Sequence, residues 1–98
     1  MIVVRNVFQL KFGKSREALE LWKEGLGLLK KAGAENSRLL TDAVAPFYTL
    51  VLESTYLGLA EFESFHKKAT ANADWKKWYE KFIPLVESGR REIFNIVE

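Results

Sequence analysis

The run FYTLVLESTY at positions 47–56 constrains this chain more than any other feature, because it is apolar along both of its alternating faces. Successive side chains of a strand point to opposite sides of a sheet. Phe47, Thr49 and Val51 therefore share one face, and Tyr48, Leu50 and Leu52 share the other. A chain of 98 residues is one domain, with room for little more than two helical segments to shield such a sheet. Two helical segments cover one face and leave the other for a second molecule, most simply another copy of the chain. Phe47, Tyr48, Thr49, Leu50, Val51 and Leu52 are accordingly the candidates for a homodimer interface through the sheet, with the choice between the two alternating sets left open.

Bulk properties narrow the class of partner. Hydrophobic residues make up 48% and charged residues 29%, the balance of a folded globule and not of a disordered chain. A net charge of +2 supplies no strong pull toward nucleic acid or an anionic membrane, and neither is expected as a partner. The absence of cysteine excludes disulfides, thiolate zinc sites and cysteine nucleophiles, and fits a reducing cytoplasm. The opening MIVVRNVFQLKFGK is interrupted by Arg5 and does not read as a secretory signal. No run approaches the ~18 apolar residues of a membrane span. The expectation is a single cytoplasmic domain over residues 1–98.

Periodicity then divides the chain. Residues 2–12 alternate as a strand, with Ile2, Val4, Phe8, Leu10 and Phe12 on one face, interrupted only by Asn6. Gly13 breaks the pattern, and Ser15 is placed to cap a helix over 16–32 whose stripe is Leu19, Trp22, Leu26 and Leu29. Gly33 is placed as its stop. Gly25 and Gly27, inside that helix, are either tolerated there or mark the close approach of another backbone. After a polar link at 34–37, residues 38–44 form a second, less regular strand, and Pro46 separates it from the third at 47–56. A second helix spans 59–71, capped by Gly58, and Asp74 caps a further helical turn. Trp75, Trp78, Tyr79 and Phe82 fall at 0, 3, 4 and 7 on that turn, a compact aromatic face ended near Pro84. Ser88-Gly89 reads as a turn before a fourth strand at 91–97. The order βαββαβ predicts an α+β, ferredoxin-like protomer: a four-stranded antiparallel sheet with its helices on one face.

Three stretches carry a resemblance to a known family. FQLKFGKSREALELWKEG (8–25) resembles the strand, glycine turn and opening helix of the NIPSNAP-like family. FYTLVLESTYLGLAEFESF (47–65) resembles its long third strand and the acidic start of its second helix. DWKKWYEKFIPLVESGRREI (74–93) resembles its tryptophan-bearing helix, proline break and last strand, with Trp75, Tyr79 and Pro84 at family-like spacings. The resemblance covers most of the chain and implies a dimeric α/β barrel, in which two such protomers pack sheet against sheet. Some members of that superfamily degrade haem with an asparagine on the first strand and a tryptophan and histidine in the second helical region. Asn6 matches the first, but Phe65 stands in place of the tryptophan, and Trp75, Trp78 or Tyr79 stands in place of the histidine. Without that axial ligand haem degradation is not expected, and no cofactor is assigned.

The residues themselves offer few chemical groups. Asn6, inside an apolar strand face, needs hydrogen-bond partners, from a ligand or from the protein. His66 is the one histidine and stands four residues after Phe62 on the apolar side of its helix, as a packed residue, a general base or a polar anchor. One histidine among scattered carboxylates does not make a metal site, and no phosphate loop, HExxH or G-x-S-x-G occurs. The aromatic face at 75–82 is either core or a pocket wall. The basic pairs, Arg90-Arg91 among them, are interspersed with glutamates and read as solvated surface. Asn6, His66, Trp75, Trp78 and Tyr79 are therefore the candidates to line a pocket for a small apolar or aromatic ligand between helices and sheet. The alternatives are a cofactor-free monooxygenase or isomerase acting on a small aromatic or polyketide-like molecule, and a purely structural assembly module. No catalytic residue is assigned.

Overall fold

A computed structural model describes residues 1–34 and 36–98; Glu35, in the predicted polar link, lies outside the described residues. The chain runs β1 (Ile2–Leu10), α1 (Ser15–Lys31), β2 (Ser37–Thr41), β3 (Thr49–Tyr56), α2 (Leu59–Ala71), α3 (Ala73–Phe82), a 3₁₀ turn (Ile83–Leu85) and β4 (Val86–Asn95). The four strands form one antiparallel sheet in the order β2-β3-β1-β4. This is the ferredoxin-like α+β arrangement, with the second helical segment divided in two. No helix among the described residues is long and apolar enough to cross a membrane.

Local chemistry accounts for the boundaries. Gly13, with φ +78°, turns the chain so that Lys14 accepts the first α1 bond from the Ala18 amide. Lys14 is thus the N-cap and Ser15, expected as the cap, is already helical without a side-chain capping bond. Gly33, with φ +106°, ends α1: its amide donates to the Lys30 carbonyl and the next amide, of Ala34, to the Leu29 carbonyl, as at a helix stop. Between α2 and α3 the backbone leaves helical geometry at Asn72, whose side-chain oxygen accepts from the Trp75 amide at 3.1 Å. Asn72, not Asp74, is therefore the α3 cap; Asp74 sits in the first turn, where its charge suits the helix N-terminus.

All four strand bounds change: β1 stops at Leu10 and β2 at Thr41, short of the expected 12 and 44, and β3 and β4 shift at their starts. Phe47 and Tyr48 belong to the turn before β3, where Tyr48 takes φ +62°, a conformation no strand residue holds. β4 begins at Val86, so Ser88 and Gly89 are strand residues and not a turn. The register explains the misreading: Gln9 faces Ser88 but Leu10 faces Val86, leaving Glu87 as an extra residue that breaks the alternation. Gly89 lies opposite Phe8, and a Cβ there would stand 3.2 Å from the Phe8 ring. The missing side chain makes room for that ring.

The core lies between the sheet and the helices. Leu10, Leu50 and Leu52 rise from the sheet to meet Ala18, Trp22 and Leu29 of α1 and Trp78 and Phe82 of α3. Gly25 permits the tightest contact, since a Cβ on it would lie 2.5 Å and 2.7 Å from atoms of the Trp78 indole. The neighbour is thus a side chain and not the backbone considered from the sequence. At Gly27, by contrast, an added Cβ meets no atom within 4 Å. Among the described residues no helix lies on the opposite face of the sheet. Its centre is Val7 and Val51, crossed by an ionic ladder in which Glu53 meets Arg5 (3.3 Å) and Arg38 (2.7 Å) while Glu92 meets Arg90 (3.0 Å). The molecule is consequently a slab of 36 × 33 × 18 Å.

Candidate functional site

Beside the core, the sheet and the helices do not close completely. A half-open groove of about 850 Å³ runs between the helix-side face of β1, β3 and β4 and the flank of α2 and α3. Its floor includes Val4, Asn6 and Tyr56, and its walls include Phe62, His66 and Trp75. The aromatic packing forms two clusters: Tyr56 meets Phe62 at 5.3 Å and Phe65 at 5.8 Å, and Trp75 stacks on Tyr79 at 6.4 Å between ring centres. Such edge and offset contacts are the favoured geometries of aromatic pairs.

Four of the five residues singled out from the sequence come together here: Asn6, His66, Trp75 and Tyr79. Trp78 does not. It is 1% exposed and sits behind the wall, its indole N–H donating to the Leu21 carbonyl at 2.7 Å, so it holds α3 against α1. The six interface candidates also divide. Leu50 (0% exposed) and Leu52 (6%) lie in the core under the helices, so neither can meet a partner across the sheet. Thr49 and Val51 face the helix-free side, and Phe47, 74% exposed, stands in the turn at its edge with Tyr48 packed against Phe12.

The polar centre of the groove is a pair that the sequence reading missed. Arg91 lies opposite Asn6 in the β1–β4 register, and its Nε donates to Asn6 Oδ1 at 2.8 Å. An arginine can only donate, so Asn6 must present its carbonyl oxygen there. The guanidinium also lies 5.2 Å above the centre of the Phe62 ring, a cation–π placement. Arg91 reads as solvated surface and is indeed exposed, but neighbours in a strand face opposite sides, so it does not share Arg90's surroundings. Both border the groove, but Arg90 joins the ladder with Glu92, whereas Arg91 reaches Asn6 and the Phe62 ring. The signal available in sequence was the alternation of 91, 93 and 95 together with a strand-face asparagine needing a partner.

These neighbours shift two titrating groups. Burial lowers the His66 pKa below its ordinary 6.5, and the nearby positive charge of Arg91 lowers it further. The imidazole is accordingly neutral at neutral pH. Burial raises the Tyr56 pKa above 10.0, while Ser54 and Arg91 pull in the other direction, so this phenol keeps its proton. Ser54 itself is buried and shares a 2.7 Å hydrogen bond with Ser37 on β2. No cluster of metal-ligating side chains occurs among the described residues. The site can enclose an apolar body and orient one polar group on it.

No family profile and no curated protein sequence matches the chain. Solved structures do. A NIPSNAP family protein from Agrobacterium tumefaciens superposes with a TM-score of 0.92 at 19% identity, over 99% of this chain and 86% of the other. An uncharacterised NIPSNAP domain protein from Burkholderia xenovorans gives 0.88 at 18% identity, over 99% and 95%. SnoaB from Streptomyces nogalater, a cofactor-independent oxygenase, gives 0.74 at 11% identity, over 99% and 93%. The chain therefore has the ferredoxin-like fold of the NIPSNAP proteins and, more distantly, of cofactor-independent oxygenases. At these identities the likeness is one of fold.

Proposed function

We propose that the protein is a homodimeric, NIPSNAP-like binding protein that takes up a small apolar or aromatic molecule in the groove between its sheet and α2–α3, with the cytoplasm as its setting. The observation that carries this reading is the groove's construction: about 850 Å³ of aromatic-walled space with the Asn6–Arg91 pair at its polar centre. Ligand sites commonly enclose ~300–1,000 Å³, mostly apolar, with a few converging polar groups. A purely structural module has no use for such a space.

The dimer reading rests on the helix-free face. Val7 and Val51 lie at its centre, and the loop over 42–48 borders it with exposed Val44 and Phe47. A two-fold partner would cover the same patch on both copies. Native mass spectrometry of freshly purified protein tests both parts at once. The expected spectrum shows twice the protomer mass, with an added small-molecule mass that is lost on collisional activation. A monomer spectrum at micromolar protein would count against the dimer. A dimer that neither retains nor takes up any aromatic compound would count against the pocket.

A second reading, a cofactor-free monooxygenase or isomerase for an aromatic or polyketide-like substrate, draws on the fold shared with SnoaB and on a neutral His66 in the groove wall. A neutral imidazole can accept a proton from a bound phenol or enol. Oxygen uptake or isomerisation abolished by His66→Ala would favour this reading, and turnover unchanged by that substitution would exclude the histidine as base.

A further inference from the structure

The occupant's chemistry can be narrowed, on the premise that the groove binds a ligand at all. Four arginines stand on the strands: Arg5, Arg38, Arg90 and Arg91. Three of them pair with Glu53 or Glu92 on the helix-free face. Arg91 differs. Among the described residues no carboxylate forms an ion pair with it, and its one hydrogen bond goes to the neutral amide of Asn6. That bond uses Nε and holds the planar guanidinium, while the terminal N–H groups make no hydrogen bond among the described residues. With its oxygen turned to Arg91, Asn6 makes no hydrogen bond through its amide N–H₂ among the described residues.

The polar centre of the groove is thus rich in donors, and among the described residues Arg91 has no ion-pair partner there, although Lys76 and Glu80 also line the groove. Phe62 beneath the guanidinium removes water from one of its faces, which strengthens attraction to an anion. The structure assigns to this groove, we propose, a small aromatic or apolar carboxylate, its ring held between the aromatic walls and its carboxylate received by the Arg91 guanidinium beside Asn6. A fixed planar fork suits a carboxylate in two-point contact.

Isothermal titration of the full chain at neutral pH with 2-naphthoate, and with its uncharged analogue 2-naphthamide, tests the assignment. The expected result is tighter binding of naphthoate by roughly 10-fold or more, equivalent to at least about 1.4 kcal/mol. Arg91→Met should abolish that preference while leaving naphthamide affinity within about 3-fold. Arg91→Lys, which keeps the charge, should retain part of the preference and guards against a folding defect in the Met variant. Equal affinity of the wild-type protein for the two compounds would overturn the anion assignment and leave the apolar pocket standing. A preference undiminished in Arg91→Met would overturn the role of Arg91. Binding of neither compound would overturn the pocket itself, and this inference with it.

Discussion

At the scale of single residues, side chains of one type separate by what surrounds them. Gly25 and Gly27 look equivalent in a helical stretch, yet the first faces the Trp78 indole and the second faces open space. Gly25→Ala should destabilise the protein by about 1–2 kcal/mol, because overpacking of about 1–3 kcal/mol exceeds the ~1 kcal/mol gain in helix propensity. Gly27→Ala should stabilise it by about 0.5–1 kcal/mol, having the propensity gain without the clash. Urea unfolding of the two variants checks both signs. His66 offers a second test. Its proton NMR titration should give a pKa below 6.5, rising only partway in Arg91→Met, since burial is the larger cause and survives the substitution. The unfolded histidine accepts a proton at higher pH than the folded one does. The contribution of this group to stability is therefore fully present above pH 6.5 and is lost as pH falls through the lower folded value.

At the scale of elements, α2 and α3 form the wall of the groove, and the break between them sets its shape. Asn72 caps α3 from an extended backbone with a side-chain bond to the Trp75 amide, which fixes where Trp75 and Tyr79 project. Asn72→Ala should cost about 1 kcal/mol in thermal or urea unfolding. It should also weaken binding of an aromatic probe, while Asp74→Asn should have the smaller effect on stability, since Asp74 acts only through the helix dipole. Element types were legible from sequence wherever a clean period ran. Leu59–Ala71 in α2 has the predicted bounds, and the aromatic face of α3 holds Trp78 and Phe82 in the core. Legibility failed where one residue altered the count. Glu87 bulges from β4 and hides five residues of strand, 86–90, and the positive φ of Tyr48 delays the start of β3 until after its apolar pattern has begun.

At the scale of the whole molecule, a slab 18 Å thick with helices on one side leaves a sheet face that a partner could cover. That face is more ionic than the sequence suggests, because Leu50 and Leu52 turn toward the helices while Arg5, Glu53 and Glu92 occupy the other side. Charges already paired within one chain can be buried at lower cost than isolated ones. Sedimentation equilibrium should return twice the protomer mass for the wild-type protein and a shift toward monomer for Val51→Lys. That substitution places an unpaired charge at the centre of the proposed contact without entering the helix-side core.

The run at 47–56 marks the division between what was written in the chain and what folding decided. Alternation is a local property, since each strand residue points opposite to its neighbour, so the sequence by itself determined that a two-sided strand stands third in a βαββαβ order. It also determined, through periods of 2 and 3.6, which segments are strands and which are helices. Which alternating set meets the helices depends on register and on the hand of the connections, and those are settled only when all strands pair at once. The same holds for the site. Asn6 and Arg91 are 85 positions apart, and nothing local to either residue says that they face one another. Tertiary pairing of β1 with β4 makes them partners and turns an arginine that reads as surface into the charged centre of an aromatic groove.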